Sequence, residues 1–373
     1  MSRDVSGPPA PFVLSTHLGT LVCVDEVTGE LVHRFAERDS INLVFIVFEG
    51  RACVYEGLSA GVSGLARHGR AYQSWDIQED QGTGATTISS RRLFACAEPS
   101  GAVTMSRPRV SEWEMFRRLS LPEAYGINYA KVVELRRGQS IPKTIHQTYM
   151  HRELPEELSR NVTSLQNTNP DFEYKLWVDE EIDDFIHETY GLAILRSYRK
   201  INREYGACRA DLFRYLCIYK FGGVYLDIKS CTSGRLTDIL LSGDEYVLSH
   251  WDNSADGVMP GYGLHRELPH VPDGEYEQWH VMATAGHPFL ERVVNRVLRN
   301  IETYDPVTFG VGKNGGLRLT GPIAYTNAIS EIIARYPHRF ISSRNSGLIY
   351  NNVKRYTDMF VTHYTTLNSP LVR

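Results

Sequence analysis

Charged residues near the middle of the sequence have the spacing expected of side chains that line a ligand site. Asp211 and Arg214 stand three apart in a segment with helical character, so they share one helix face. The glycines at 222–223 end that segment, and the apolar strand pattern 224–226 leads to Asp227. An arginine offers planar donors to phosphate oxygens, and the end of a strand is where open α/β sheets bind ligands. The pattern therefore indicates a ligand-binding site at this end of the strand.

The elements that position these residues follow from the pattern around them. After residue 122, strand and helix patterns alternate, which is typical of a layered α/β domain. One helix begins at Asp179 with an acidic first turn and stops at Gly191, and another opens at Pro288. We therefore predict an α/β domain over residues 122–373.

The first part of the chain has a different pattern, of short apolar or alternating runs separated by turn signals. Residues 17–34 and 92–107 each combine a strand, a glycine turn, a second strand and a basic residue, which predicts an internal repeat. The second copy leads into Ser111–Phe116, which resembles the repeat ending of fascin-like β-trefoils. We predict an all-β module over residues 1–121. It is either a β-trefoil or another small β-domain with Trp113 and Phe116 in its core.

Composition excludes several classes of function. The 373 residues include 40 Lys and Arg against 44 Asp and Glu, so no broad cationic surface exists to bind nucleic acid. The apolar runs are of strand length, whereas a membrane helix needs about 20 apolar residues, so no transmembrane segment is expected. The first residues lack the apolar core of a secretory signal. From this we expect a cytoplasmic location.

Four motifs in order give the α/β part a resemblance to a known family. Ile141–Tyr149, Asn169–Trp177, Arg209–Tyr215 and Gly222–Asp227 are similar to motifs of glycosyltransferase family 32, the group with a DXD-containing sugar-binding region. The resemblance extends from about residue 141 to residue 373. It implies a GT-A fold, in which a Rossmann-like sheet binds a nucleotide sugar, and transfer with retention of the anomeric configuration. A smaller all-β domain precedes it.

The resemblance also implies roles for individual residues. Asp211 and Arg214 are expected to hold the donor sugar and its diphosphate, and Asp227 the diphosphate and a metal ion. The alternatives are a helix-face ion pair for the first two and a turn cap for Asp227. The implied catalytic group is Asp211, Arg214, Asp227 and Lys229; the donor-binding group is His146, Gln147, Tyr149, Trp177, Tyr225, Thr320, Gly321 and Pro322; the metal ligands are Asp227 and His363.

Position 229 departs from the family pattern. The second acidic residue of the DXD motif is replaced by Lys229, so a metal loses a carboxylate and the site gains a cation. Strand alternation predicts that Asp227 and Lys229 face the same side. Either a divalent ion is still bound, with water, diphosphate oxygens and His363 completing its shell, or Lys229 partly replaces it. We expect a retained but weakened requirement for Mn²⁺ or Mg²⁺.

The expected function is that of a retaining, nucleotide-sugar-dependent hexosyltransferase. Its partners would be a UDP- or GDP-linked donor and a glycan or other hydroxyl acceptor, with surface polysaccharide synthesis as one setting. The alternative is a catalytically impaired carbohydrate-binding protein with a lectin-like β-module. Trp251 and Trp279 stand in polar, aromatic stretches that suit either sugar stacking or core packing.

Overall fold

The computed structural model divides the chain into two compact units. One comprises residues 1–129 with 302–310, and the other comprises residues 130–301 with 311–373. The predicted boundary after residue 121 falls in the segment 121–129, outside the described residues. Within the described part, no helix is both long and apolar enough to cross a membrane. The described residues are 12–18, 20–24, 31–34, 43–48, 51–56, 75–80, 82–120, 130–257, 259–342, 345–353 and 367–373.

The first unit is all-β apart from short helical turns, as the alternating runs predicted. Its described strands pair antiparallel throughout. A 3-10 turn covers Glu112–Glu114. The strands are β1 (Phe12–Ser15), β2 (Leu21–Val24), β3 (Leu31–Arg34), β4 (Leu43–Phe48), β5 (Arg51–Glu56), β6 (Trp75–Glu79), β7 (Thr86–Ser90), β8 (Leu93–Ala97), β9 (Val103–Arg107) and β10 (Arg117–Ser120).

The strand pairing of this unit returns to its own starting point. β1 pairs with both β4 and β10, and β4 continues through β5 and β6 to β7. Thr86 and Phe116 then exchange two backbone hydrogen bonds of 2.8 Å, which link the start of β7 to the residue before β10. The hairpins β2–β3 and β8–β9 are joined by a bridge from Val32 to Ala102. Phe116 is fully buried in the core.

Among the described residues, the second unit contains the longer helices and the parallel strands, which confirms a mixed α/β architecture. Its strands are β11 (Thr144–Tyr149), β12 (Glu173–Val178), β13 (Gly223–Leu226), β14 (Cys231–Thr232), β15 (Tyr246–His250), β16 (His280–Ala283), β17 (Arg339–Ser342) and β18 (Leu348–Ile349). The helices of the chain are α1 (Glu156–Thr168), α2 (Asp179–Tyr190), α3 (Leu192–Lys200), α4 (Gly206–Phe221), α5 (Leu236–Ile239), α6 (Pro288–Glu302), α7 (Pro306–Phe309), α8 (Gly312–Leu319) and α9 (Pro322–Ser330). Of these, α7 belongs to the first unit.

One six-stranded sheet organises this unit, in the order β12–β11–β13–β16–β15–β17. β12, β11 and β13 run parallel, whereas β16 runs antiparallel to both of its neighbours. Every residue of β13 and β16 is buried, as expected for central strands covered on both faces. The parallel strands end at the same edge of the sheet, and Asp227 follows β13 at that edge.

Gly222 sets the angle between α4 and β13. Its φ of +68° and ψ of −166° lie in a region that is essentially restricted to glycine. A Cβ atom there would lie 2.7 Å from the backbone nitrogen of Ala285 and 2.8 Å from Cδ of Pro142. Gly191, which ends α2 as predicted, has similar angles, but a Cβ atom at that position would meet nothing within 4 Å.

Gly191 and Gly222 form a matched pair of positions for measuring how much stability the close contact at Gly222 requires. Gly191→Ala introduces backbone strain alone, which costs about 1–3 kcal/mol. Gly222→Ala adds the overlap with the backbone of residue 285, so we expect a larger loss of stability and a lower unfolding temperature. Urea titration and thermal unfolding of both variants measure the difference. Equal destabilisation of the two variants would show that the backbone near Gly222 relaxes without cost.

Candidate active site

A buried ion pair on α4 forms the centre of the site. Nη2 of Arg214 lies 3.1 Å from Oδ1 of Asp211, one helical turn away, and their side chains are 4% and 8% exposed. Burial raises the pKa of Asp211, and the neighbouring guanidinium opposes that rise. An ion pair on an exposed helix face would contribute little, but a pair this deep is costly to break. The ion pair that the sequence analysis gave as the alternative therefore exists, and it lies in the interior.

The second arm of Arg214 reaches two other parts of the chain. Nη1 lies 3.1 Å from Oδ1 of Asp227 and donates a 2.6 Å hydrogen bond to the carbonyl of Gln278. The guanidinium also lies over the ring of Tyr225, 4.7 Å from its centre. Burial works against the cation, but the neighbouring acidic groups, first among them Asp227, together outweigh it and raise the pKa of Arg214. The guanidinium therefore stays charged between two carboxylates.

Asp211 has two further hydrogen-bond donors. Oγ1 of Thr320 donates to its Oδ2 at 2.8 Å, and Nε2 of Gln278 donates to its Oδ1 at 3.1 Å. The hydroxyl of Tyr215 lies 3.0 Å from Oε1 of Gln278 and 2.9 Å from the carbonyl of Thr320. The sequence analysis singled out the polar, aromatic stretch just before β16 that contains Gln278, but it assigned Gln278 no role of its own. The side chain of Gln278 therefore holds Asp211, and its backbone carbonyl holds Arg214.

Strand β11 sends two predicted site residues to opposite faces of the sheet. Gln147 is fully buried, donates from Nε2 to the carbonyl of Asp227 at 3.0 Å and accepts from the hydroxyl of Tyr174 at 3.0 Å. Its neighbour His146 lies on the other face and accepts a 3.2 Å hydrogen bond from Nε1 of Trp177. The structure therefore brings Gln147, but not His146, to the turn that carries Asp227.

His146 and Trp177, both predicted to bind the donor, are packed in an aromatic cluster. Each is almost completely buried, at 3% and 4% exposure. The Trp177 ring lies 5.5 Å from that of Phe213 and 5.9 Å from that of Phe221. Their side chains thus support α4 from the side away from Asp211. The motif around β11 did not predict on which face of the sheet His146 lies. A shift of one residue along a strand reverses the direction of the side chain.

The remaining predicted donor residues lie at the ends of elements. Tyr149 closes β11 and packs against a cluster that includes Ile228, and burial raises its pKa. Thr320 follows α8, Gly321 precedes α9, and Pro322 opens α9, as predicted for a helix start. Of these three, the Thr320 side chain contacts Asp211 directly.

Lys229 is not placed by strand alternation, and that expectation was wrong. β13 ends at Leu226, and the backbone N–H of Ser230 donates to the carbonyl of Asp227 at 2.8 Å, which closes a turn. Within this turn the ammonium of Lys229 lies 3.2 Å from the hydroxyl of Tyr350 and 4.5 Å above its ring. Lys229 follows Asp227 by two residues, and its ammonium contacts Tyr350.

The described side chains offer little to a divalent ion. Oδ1 of Asp227 is already 3.1 Å from Arg214, and position 229 is a cation. Among the described residues, no three His, Cys, Asp or Glu side chains are grouped as a metal site would require. His363 lies in the segment 354–366, outside the described residues. An ion at Asp227 would need donor phosphates, water or residues from that segment to complete its shell.

The buried His146 makes stability depend on pH. Burial, helped by the charge of Lys175, lowers its pKa from 6.5 to about 4. The unfolded chain therefore takes up the proton first, and stability falls as the pH drops from about 6.5 to about 4. We expect His146→Gln, which keeps an acceptor for Trp177, to remove at most about 3 kcal/mol of that loss. Urea titrations at pH 7 and pH 4.5 measure the free energy of unfolding of the wild type, of His146→Gln and of the control His187→Gln, whose substituted residue is exposed. If the wild type and His146→Gln lose the same stability between these two pH values, the expectation is contradicted.

Comparison with known proteins connects this geometry to a family. Residues 155–243 match the family described as "Glycosyltransferase sugar-binding region containing DXD motif". This span includes α4, β13 and the turn with Asp227 and Lys229.

Relatives with curated names are similar over part of their length. The chain is 30% identical over 171 residues to inositol phosphoceramide mannosyltransferase 3 of Schizosaccharomyces pombe, covering 46% of this chain and 41% of that protein. It is 25% identical over 211 residues to an initiation-specific alpha-1,6-mannosyltransferase of Candida albicans, covering 52% and 54%. Among solved structures, PaToxG glycosyltransferase is similar over 52% of this chain and 71% of that one, with 16% identity and a TM-score of 0.38.

The chain thus spans about half the length of the curated relatives it matches. The matched part carries the buried Asp211–Arg214 pair and the strand-end Asp227. The part of the chain that carries these residues is therefore similar to the sugar-binding region of glycosyltransferases that contains the DXD motif.

Proposed function

We propose that this chain is a retaining glycosyltransferase that moves a hexose from a UDP- or GDP-linked donor to a hydroxyl of a glycan or another acceptor. The observation that supports it best is the buried Arg214, which pairs with Asp211 on α4 and Asp227 at the end of β13. The curated relatives are named mannosyltransferases, so a mannosyl donor is the first candidate. Surface polysaccharide synthesis remains one setting for the reaction.

Charge at this edge of the sheet matches the demands of the reaction. The bond between the anomeric carbon and the phosphate oxygen breaks, and its electron pair passes to the diphosphate. The acceptor oxygen bonds to the anomeric carbon on the face that the diphosphate leaves, and the acceptor proton passes to a phosphate oxygen. Arg214 is a fixed cation held by Asp211, Asp227 and Gln278, so it needs no reorganisation as negative charge develops.

We propose that a divalent ion, Mn²⁺ or Mg²⁺, contributes further positive charge at the diphosphate but is held more weakly than in chains with the full DXD motif. Asp227 would be its protein ligand, with His363 as a second candidate. Lys229 belongs to the same turn as Asp227, and this placement supports a shared role in neutralising the phosphates.

The fold assignments belong to the same proposal. The order of parallel strands followed by an antiparallel partner supports a GT-A fold for the second unit. The first unit is proposed to be a β-trefoil. Support comes from the pairing path through β1, β4, β5, β6, β7 and β10, which returns to β1, with hairpins β2–β3 and β8–β9 outside it.

Donor hydrolysis provides the direct test of transferase activity. We expect the full chain to hydrolyse one of GDP-mannose, UDP-glucose, UDP-galactose or UDP-N-acetylglucosamine, measured as released nucleoside diphosphate. Asp227→Asn keeps the shape but removes the charge, so turnover should fall by about 100-fold. Asp238→Asn, on the exposed surface of α5, is the control. Donor binding without hydrolysis would favour the carbohydrate-binding alternative.

Arg214→Lys tests whether the guanidinium geometry matters as well as its charge. An ammonium cannot contact Asp211, Asp227 and the Gln278 carbonyl together, so we expect a fall in turnover of about 100-fold. The matched control is Arg292→Lys, since Arg292 pairs with Glu331 at the surface, where such pairs contribute about 1 kcal/mol or less. Thermal unfolding shows whether each variant is folded. Normal kinetics in folded Arg214→Lys would assign the pair a structural role only.

Substitutions at position 229 test the role of the ammonium. Lys229→Ala should weaken GDP and UDP binding by about tenfold even at saturating Mn²⁺, because a charged hydrogen-bond donor is lost. Lys229→Asp restores an acidic pair with Asp227 and should strengthen the dependence on Mn²⁺. Isothermal titration with and without the ion measures both, and Lys220→Ala at the exposed end of α4 is the control. Unchanged titration curves would remove Lys229 from the site.

A further inference from the structure

Beside the turn that carries Asp227, three aromatic rings from separate segments meet at the surface. The ring of Trp251 lies 5.0 Å from that of Tyr262 and 5.0 Å from that of Tyr350, and it meets both edge-to-face at 80° and 82°. Tyr262 is 38% exposed, and the other two are half-buried. We call Trp251, Tyr262 and Tyr350 the aromatic corner.

The aromatic corner is held by close packing and hydrogen bonds. Nε1 of Trp251 donates to the buried carboxylate of Glu275 at 2.7 Å, and His265 lies 2.5 Å from the other oxygen of that carboxylate. A Cβ atom at Gly263, next to Tyr262, would lie 2.7 Å from Cδ1 of Trp251 and 2.9 Å from Cγ of Glu275. Gly263 has a φ of +76°, which favours glycine. The loop is thus built tightly around the tryptophan.

The aromatic corner adjoins the site already described. Tyr350 contacts Lys229, two residues beyond Asp227, through its hydroxyl and its ring face. The ring of Trp279, which follows Gln278, lies 5.5 Å from the ring of Tyr350. On the outer side, the ammonium of Lys313 lies 6.0 Å from the ring of Tyr262. A ligand on the aromatic corner would therefore lie next to the charges that we propose for the diphosphate.

We propose that the aromatic corner binds the sugar ring of the acceptor, an inference that rests on the proposed glycosyltransferase function. The C–H face of a pyranose packs on a single exposed aromatic face, and its hydroxyls reach polar groups at the rim, here Lys229 and Lys313. A flat nucleobase would favour two parallel rings, whereas these rings are nearly perpendicular. The geometry therefore favours a non-planar sugar over the base of the donor.

Binding of simple glycosides tests this assignment independently of turnover. Saturation-transfer NMR with saturating GDP or UDP measures binding of four probes: the methyl α-glycosides of mannose, glucose, galactose and N-acetylglucosamine. We expect Tyr262→Ala to weaken the binding of the best probe by about five- to tenfold, since one stacking face is lost. Tyr262→Phe should restore it, because stacking does not need the hydroxyl. Leu264→Ala, 53% exposed in the same loop, is the control and should change nothing.

Donor hydrolysis, measured on the same variants, separates the possible failures. The KM for donor hydrolysis should stay unchanged in Tyr262→Ala. A raised donor KM with unchanged glycoside binding would assign the aromatic corner to the nucleobase and overturn the proposal. It is also overturned if the wild type binds none of the four glycosides, or if Tyr262→Ala binds them normally. If no donor is hydrolysed while glycoside binding still depends on Tyr262, the proposed transferase function fails, and the sugar-binding assignment stands.

Discussion

The guanidinium of Arg214 joins three structural elements, one of which is distant in sequence. It contacts Asp211 on its own helix, Asp227 after β13 and the carbonyl of Gln278 before β16. A buried cation is tolerated only when its charge and its donors are matched, because desolvation costs several kcal/mol per ion. The contacts that satisfy Arg214 are therefore also the contacts that align α4 with the edge of the sheet.

The residues around Arg214 hold its charged contacts in place. Thr320 donates to one oxygen of Asp211 and Gln278 to the other, so the carboxylate is held in one orientation. Gly222 lets α4 turn directly into β13, which brings Arg214 on the helix close to Asp227, the residue that follows β13. The aromatic cluster around Trp177 packs against α4 from another side. Rigid support of this kind is what electrostatic stabilisation of a developing charge needs.

The turn after β13 distributes two opposite charges. Asp227 points to Arg214, whereas Lys229 points to Tyr350 and thereby to the aromatic corner. The resemblance to the DXD motif, in which both positions are acidic, sets a cation at position 229 of this chain against the anion of the motif, at the point where the proposed donor and acceptor sites meet. The exchange affects the charge of the site and also its contact with the neighbouring aromatic residues.

The local sequence determined where the helices and strands form and which of them carry Asp211, Arg214 and Asp227. Helical spacing set Asp211 and Arg214 on one face, two glycines ended α4, and an apolar strand placed Asp227 at its end, since each of these features depends on neighbours within a few residues. Only the tertiary structure decided which side chains meet. Gln278 reaches Asp211 across 67 residues, and Tyr350 reaches Lys229 across 121. No periodicity encodes such contacts, because they arise from the packing of separate elements. His146 faces the aromatic cluster for the same reason: the pleat of β11 and the helices that cover it, and not its motif, fix the side on which it is buried.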